Sequence, residues 1–263
     1  MKRIIKAEAV VLRHRLGPKA LLLVAAIIPL VVVIGYSTLA SQGESGLQFN
    51  GQPLSALVSI SGQDAAALAL HGRNFFVMPL LLLFIAGQSL ASERSTHVLR
   101  EQLLRPVART RVLWSKVIVL WALSILSVAV NAVIGLGLGG AVLGTEGEWG
   151  PVWWGHAAAI GSDLGIILFG FMLSSVLRSA AGVMAVGLML LGLDWAVRMG
   201  LSALGFMGLE SARTMLLFMP GSGLDFYRME GGVFSIEAFA CLVVWSGLVA
   251  AIAHRRMGRM DTP

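Results

Sequence analysis

The residues ALLLVAAIIPLVVVIGYSTL, from Ala20 to Leu39, contain no charged side chain. A helix needs about 20 mostly apolar residues to cross the hydrocarbon core of a bilayer, so this stretch predicts a transmembrane helix. Other mostly apolar stretches follow it, and the spans that we predict are 20–39, 73–92, 113–143, 156–177, 180–197 and 233–253. The expected fold is therefore an all-α integral membrane protein, with residues 1–263 forming a single transmembrane domain.

The composition is typical of a protein whose main solvent is the bilayer. Hydrophobic residues make up 57% of the 263 residues and charged residues 13%, against about 45–50% and about 25% in soluble domains. The sequence has one cysteine, Cys241, which lies inside an apolar run. A single cysteine excludes a disulfide framework and a thiolate metal cluster within the chain. The methionines lack a repeated ligand spacing, so we predict no metal site.

The basic residues predict the orientation of the chain. Six spans place both termini on one side, and sixteen of the 20 Lys and Arg residues fall on that side. The other side keeps only Arg73, Arg198, Arg213 and Arg228. By the positive-inside rule both termini are cytoplasmic. Topology thus explains the net charge of +6, and because no recognition motif accompanies the charge, we expect no nucleic acid partner.

Residues 1–17 have the pattern of a helix that lies on the inner membrane surface. Apolar residues share one arc of this helix: Ile4, Ile5, Val11, Leu12 and Leu16. Basic residues share the opposite arc: Lys2, Lys6 and Arg13. Glu8 and Arg15 fall within the apolar arc and make the pattern imperfect, so a plain charged leader is the alternative.

A polar segment, 93–112, separates the second and third spans on the cytoplasmic side. With its flanks it reads SERSTHVLREQLLRPVARTRVLWSK, from Ser92 to Lys116. Four residues would form a short amphipathic face: Val98, Leu99, Gln102 and Leu103. Pro106 would end this helix, because its ring interrupts the hydrogen-bond ladder. Such a segment is suited to docking in a partner's groove, and an ordinary basic loop without a partner is the alternative.

This segment resembles the cytoplasmic signature of type-2 ABC exporter permeases. In that family a Glu closes the second helix, a short helix ends in Leu-Leu, Pro-Val-x-Arg follows, and a Lys opens the third helix. The matching residues are Glu93, Leu103, Leu104, Pro106, Val107, Arg109 and Lys116. The family usually has Gly-Thr after the Glu, where this chain has His97 and Val98.

The resemblance implies a permease subunit that docks on a cytoplasmic ABC ATPase. The residues that it assigns to this coupling are Glu93, Arg94, Val98, Leu99, Leu103, Leu104, Pro106 and Arg109. It also implies two ATPase copies that bind ATP and Mg²⁺, and a second permease subunit, either an identical copy or a close paralogue. The transport direction that it implies is export, and the location is the bacterial inner membrane. On this chain itself we expect no cofactor and no catalytic residue.

The outer segment 198–232 contains the turn sequence Pro220-Gly221-Ser222-Gly223. It predicts short interfacial or re-entrant helices broken by this turn, or a loop packed on the outer helix ends. An extracytoplasmic partner would bind here. Residues 220–228 also faintly resemble the Asn-Pro-x-Asp-x-Tyr-Arg stretch of the permease used in nitrous-oxide reductase maturation, with Met219 in place of the Asn and a spacing one residue longer.

Four polar residues within or near the spans are candidates for a translocation path or for helix packing: Asn131, Asp163, Asp194 and Arg198. Ionisable groups at such depth are costly and normally face protein or water. An ion pair between Asp194 and Arg198, at i and i+4 on one helix, is the structural explanation for those two. Asn131 would bond another helix or bind substrate.

The motif G-x-x-x-x-G-K-[ST], which cradles phosphates in ATPases, does not occur in the sequence. The metalloprotease motif H-E-x-x-H does not occur either. We therefore expect no enzyme, and the resemblance described above implies a transporter subunit. An ion-driven secondary carrier and a non-transporting membrane anchor or immunity protein are the alternatives, and the residues leave the substrate open.

Overall fold

The computed structural model describes residues 2–42, 48–49, 52–53, 61–96, 108–145, 148–225 and 235–259. This part of the chain is helical apart from short turns and one antiparallel pair of two-residue strands, β1 (Gln48–Phe49) and β2 (Gln52–Pro53). The helices are α1 (Lys2–His14), α2 (Leu16–Gln42), α3 (Gly62–Ser95), α4 (Arg109–Leu143), α5 (Trp149–Val176), α6 (Ala180–Phe206), α7 (Glu210–Phe218), α8 (Pro220–Leu224) and α9 (Ile236–Gly258).

Six of these helices are long and apolar enough to cross a membrane: α2, α3, α4, α5, α6 and α9. The prediction of an all-α integral membrane protein is therefore confirmed. At one end of the bundle α1 packs mainly on α4, and Trp114 Nε1 on α4 lies 3.3 Å from His254 Nδ1 near the end of α9. We call this the basal end, and the opposite one the distal end.

The helices are longer than the predicted spans. The second span, predicted as 73–92, belongs to a helix that begins at Gly62 and ends at Ser95. The fifth span was predicted to end at 197, but its helix, α6, continues to Phe206. The start of the expected outer segment is therefore helical. Hydropathy detects only the apolar part of a helix, whereas helices extend beyond the hydrocarbon.

Polar caps determine where several helices begin. The hydroxyl oxygen of a serine accepts a hydrogen bond from a first-turn backbone N–H at the start of α3, α6 and α9. The capping residues are Ser61, Ser179 and Ser235, with N···O distances of 3.1, 3.0 and 3.1 Å.

α3 is not a uniform α-helix. Two stretches, Arg73–Val77 and Gly87–Ala91, have π-helical hydrogen bonding. Such stretches accommodate one extra residue in a turn and are frequent at functional sites. The first begins at a buried arginine, and the second ends just before the polar end of the helix.

The core lies between α3, α4 and α5. Leu82 and Leu83 of α3, Leu120 of α4, and Ile167 and Phe171 of α5 are fully buried in one apolar cluster. Helices α2, α6 and α9 surround this core and expose apolar side chains, as expected for surfaces that contact lipid or another membrane protein.

α3 and α4 are in close backbone contact at two glycines near the distal end. A Cβ added at Gly139 would lie 2.8 Å from the carbonyl oxygen of Gly62, which is closer than real Cβ contacts. Small residues allow this kind of backbone approach between transmembrane helices. A side chain at Gly137, on the same helix, would meet nothing within 4 Å.

We therefore expect Gly139→Ala to destabilise the protein by about 1–3 kcal/mol, because the added methyl forces α3 and α4 apart. Gly137→Ala is the matched control and should not lower the thermal unfolding midpoint of the purified protein. Equal midpoints for the two variants would contradict the close contact.

Candidate functional site

A cluster of four charged residues lies at the basal end of the bundle. Lys116 Nζ on α4 lies 2.9 Å from both carboxylate oxygens of Glu8 on α1 and 2.8 Å from Glu93 Oε2 in the last turn of α3. Arg15, between α1 and α2, donates from Nη2 to Glu93 Oε1 at 2.7 Å. We call Glu8, Arg15, Glu93 and Lys116 the basal cluster.

Three of the four residues of the basal cluster are nearly sealed from solvent, whereas the Arg15 side chain is 25% exposed. Lys116 is 1% exposed, Glu93 5% and Glu8 6%. Two carboxylates and two cations balance each other, which is the condition under which charged groups can be buried. The cluster therefore fixes the surface helix α1, the end of α3 and the first third of α4 to one another.

The basal cluster explains the imperfect pattern of the N-terminal helix. Glu8 and Arg15 interrupt the apolar arc because each of the two meets an opposite charge on α4 or α3. Of the apolar residues of the arc, Leu12 is buried, whereas Val11 and Leu16 are exposed. The pairing was not predicted. Its signal in the sequence was the position of two charged residues within an apolar arc.

The sequence pattern suggested that Lys116 opens the third membrane-spanning helix, but it does not. α4 begins at Arg109, so Lys116 lies about two turns inside it. The early start places the Lys116 side chain beside the end of α3, where Glu93 faces it.

Arg94 connects the end of α3 to α5. Its Nη1 donates to the carbonyl oxygens of Ser174 and Ser175 at 3.2 and 3.0 Å. These carbonyls belong to the last turn of α5, where helices have unsatisfied acceptors and where a cation is favourable. Glu93 and Arg94 together link one helix end to α1, α4 and α5.

The other residues assigned to coupling lie at or beyond the limits of the described chain. Arg109 is the first residue of α4. Val98, Leu99, Leu103, Leu104 and Pro106 lie outside the described residues. The structure thus describes only the two ends of the segment, with Glu93 and Arg94 at its start and Arg109 near its end.

A second polar cluster lies at the centre of the bundle. Arg73 Nη2 lies 2.7 Å from Asp163 Oδ2, and the same nitrogen donates to Ser127 Oγ at 3.0 Å. Ser124 donates to Asp163, and Arg73 also donates to Asn74 Oδ1. Arg73 is 0% and Asp163 1% exposed. We call these five residues the central cluster.

The central cluster corrects the prediction that Arg73 belongs to the outer face. The arginine lies inside the bundle, and its partner Asp163 lies in the middle of α5, 90 positions away in sequence. A single sequence does not reveal such a distant partner. The cluster ties α3, α4 and α5 together at a depth where an unpaired charge would be strongly unfavourable.

Asn131 joins three helices. Its Nδ2 donates to the carbonyl oxygen of Ala25 on α2 at 3.4 Å, and its Oδ1 lies 3.3 Å from His156 Nε2 on α5. Asn131 is fully buried in α4. Its contacts in this structure are therefore with neighbouring helices.

A third cluster lies at the distal end. Arg198 Nε lies 2.9 Å from Asp194 Oδ2, one turn earlier on α6, and Arg198 Nη1 lies 2.6 Å from Asp225 Oδ2 after α8. The backbone N–H of Gly221 donates to Asp194 Oδ1 at 3.2 Å. We call Asp194, Arg198 and Asp225 the distal cluster; it holds α8 against α6.

The outer segment forms two short helices, but the break differs from the predicted turn. The chain breaks at Met219, between α7 and α8, and Pro220-Gly221-Ser222-Gly223 is helical. Proline is favourable at the first position of a helix because its missing N–H would have no partner there. Leu224 reaches the bundle interior, since a Cβ at Gly165 on α5 would lie 3.0 Å from Leu224 Cδ2.

The family model described as ABC-2 family transporter protein matches residues 4–193. The chain belongs to this family. It is therefore a permease component of an ABC transporter, and membership implies partnership with an ABC ATPase subunit. None of the curated proteins compared with the chain matches it.

The match to this ABC-2 family extends from α1 into α6, so it includes the basal and central clusters and stops before Asp194. The outer segment lies beyond it. The similarity to the permease of nitrous-oxide reductase maturation stays a hypothesis, because it falls in that segment and residues 226–228 lie outside the described chain.

A double-mutant cycle tests the ion pair of the central cluster. Arg73→Leu and Asp163→Leu each leave one buried charge without its partner, which we expect to cost about 3–5 kcal/mol of stability. The loss of stability in the double variant should be smaller than the sum of the two single losses, and the difference should be about 1–3 kcal/mol. The measurement is denaturant unfolding of each variant in mixed micelles, and strictly additive losses would contradict the pairing.

Proposed function

We propose that this permease couples ATP hydrolysis by a separate cytoplasmic ATPase to export, or to action on an extracytoplasmic partner, through the segment 93–112. The observation that carries the proposal is the basal cluster. It joins the two helices that flank the segment to the surface helix α1 through buried ion pairs.

The basal cluster is suited to transmit movement because its contacts are short and three of its four residues are buried. A displacement of the segment by an ATPase would act first on Glu93 and Arg94 at the end of α3. From Glu93 the movement passes to Lys116 on α4 and to Arg15 beside α1. From Arg94 it passes to the end of α5. Side chains that cannot separate without exposing a buried charge move together.

The proposed orientation places the basal end in the cytoplasm of the bacterial inner membrane. Sixteen of the 20 basic residues belong to the basal side of the sequence pattern. Arg73, counted on the other side in the sequence, is compensated inside the bundle by Asp163, so the bias that remains in the loops is larger than the count suggested. Both termini are cytoplasmic in this arrangement.

The proposed assembly has two permease copies and two ATPase copies, with ATP and Mg²⁺ bound by the ATPases. Support comes from the apolar side chains that α2, α6 and α9 expose, which include Val31, Leu193 and Val244. A second copy, identical or closely related, would cover part of this surface. An extracytoplasmic partner would meet the segment 198–232 at the distal end.

Purification in mild detergent, followed by mass spectrometry of the proteins that co-purify, tests the partnership. We expect a stoichiometric ATPase that contains a phosphate-binding loop, with equal numbers of permease and ATPase chains. A chain that stays inserted and purifies alone would contradict the proposal and favour a secondary carrier.

The coupling route is tested by Glu93→Gln, which removes the charge that faces Lys116 and Arg15. The readout is the labelling rate, with and without ATP and Mg²⁺, of the thiol introduced by Gly200→Cys in a Cys241→Ser background. Loss of a charge-assisted hydrogen bond is worth about 1.5–3 kcal/mol, so the nucleotide-dependent change in rate should fall about tenfold or more. Glu210→Gln, exposed on α7 at the distal end, is the matched control.

Two further measurements separate coupling from folding. Arg15→Gln, whose side chain is 25% exposed in its ion pair, should give a smaller loss than Glu93→Gln without unfolding the protein. The Gly200→Cys thiol should react with a membrane-impermeant maleimide applied to whole cells, as the orientation requires. A full nucleotide response in Glu93→Gln, with the ATPase still bound, would contradict the route.

A further inference from the structure

A cavity of about 280 Å³ lies between α3, α5, α6 and α8. It begins at the central cluster, beside Asp163, and extends to the distal cluster. The cavity therefore occupies the half of the bundle that lies away from α1. Its volume is close to the lower limit of typical small-molecule sites, which are about 300–1,000 Å³.

The inner end of the cavity carries polar atoms that have no hydrogen-bond partner. Asn74 Nδ2 and Ser162 Oγ are both buried, line the cavity, and find no partner among the residues the structure describes. Ser162 is 3% exposed. Buried polar atoms are normally paired, so two unpaired ones on the wall of one cavity mark a place where a ligand can bond.

The chemistry of this inner end is uncharged overall. Asn74 uses its carbonyl oxygen to accept from Arg73, which leaves the amide N–H groups as donors. Asp163 is already compensated by Arg73, and its Oδ1 has only a long contact of 3.4 Å to Arg73 Nη1. The inner end thus offers donors and one acceptor but no net charge, and an ionic group held there would lose its hydration without gaining a counter-ion.

The walls between the two polar ends are apolar. Phe75 and Pro79 of α3, Leu191 and Trp195 of α6, and Leu224 of α8 face the cavity. A molecule held at the inner end would place its remaining surface against these side chains. Apolar walls with a few convergent polar groups are the usual composition of a ligand site.

We propose that this cavity binds an apolar molecule carrying one uncharged hydrogen-bonding group, such as a hydroxyl or an amide. The group bonds to Asn74 and Ser162 at the centre of the bundle. The apolar part extends toward α8, which the distal cluster holds across the outer end of the cavity. The site lies within one chain and does not depend on the proposed coupling route.

Photolabelling of the protein in phosphatidylcholine vesicles tests this site. The probe is a medium-chain alkanol that carries a diazirine, and the competitors are the unlabelled alkanol, the alkane of equal length and the alkylammonium ion. We expect saturable adducts in the peptides that contain Ser162 and Trp195. The alkanol should compete for them at concentrations about fivefold or more below those needed for the other two.

Matched variants show whether the adducts arise from the cavity. Ser162→Ala should raise the alkanol concentration needed for half-competition about fivefold, because one hydrogen bond is lost. Gly192 lines the cavity, and a side chain there would meet nothing within 4 Å. Gly192→Leu should therefore fill the cavity and abolish saturable labelling. Gly200→Leu, at an equally open position on the same helix outside the cavity lining, should leave labelling unchanged.

The outcomes are distinct. Competition by the alkanol alone, with the loss in Gly192→Leu, supports the site. Equal competition by the alkane and the alkanol would mean simple partitioning into lipid and would overturn it. Preferred competition by the alkylammonium ion would overturn the assignment of an uncharged ligand. Labelling that persists in Gly192→Leu would place the adducts outside the cavity and would also overturn it.

Discussion

Charge compensation inside a low-dielectric bundle is the constraint on which this structure depends. An uncompensated charge at the depth of Arg73 or Lys116 would cost several kcal/mol or more, and both residues are almost completely buried. Each is therefore surrounded by groups that other helices supply: Asp163 from α5 in one case, and Glu8 and Glu93 from α1 and α3 in the other. These ion pairs therefore fix the relative positions of the helices that supply them.

The three polar clusters divide the bundle into levels with different physical characters. The basal cluster is balanced and mostly buried, and it connects the surface helix α1 to the end of α3 and to α4. The central cluster is balanced and lies in the middle of α5, so it fixes the core. In the distal cluster all three side chains are partly exposed, Asp194 11%, Arg198 19% and Asp225 27%, and the cluster holds only a five-residue helix. The core helices are thus connected more firmly than α8, which rests at the outer end of the cavity.

The sequence was sufficient for the six spans and for the family, because both depend on local patterns. Apolar runs of about 20 residues mark helices without reference to the rest of the chain, and the residues around Glu93 and Pro106 follow in order. The missed features depend on distant partners. Arg73 was counted as an outer residue because the rule for orientation considers position along the chain and not pairing. Glu8 and Arg15 looked like defects because Lys116 and Glu93 are far away in sequence. The stretch from Pro220 to Gly223 was predicted as a turn because its residues are typical of turns. Its packing on α5 and α9, as the helix α8, cannot be predicted from those residue types.

The π-helical stretches of α3 determine which way its two buried charges point. In a regular α-helix each residue turns by about 100°, so the path from Arg73 to Glu93 would end about 200° away from its starting direction. Each π-helical stretch absorbs one extra residue within a turn, and two of them lie on this path. The remaining rotation is then close to five whole turns, which aligns Arg73 and Glu93 on one side of the helix. Both accordingly bond to α4, through Ser127 and Lys116. The extra residues change the direction in which later side chains point. Arg73 and Glu93 can both face α4 only because α3 is not a regular α-helix.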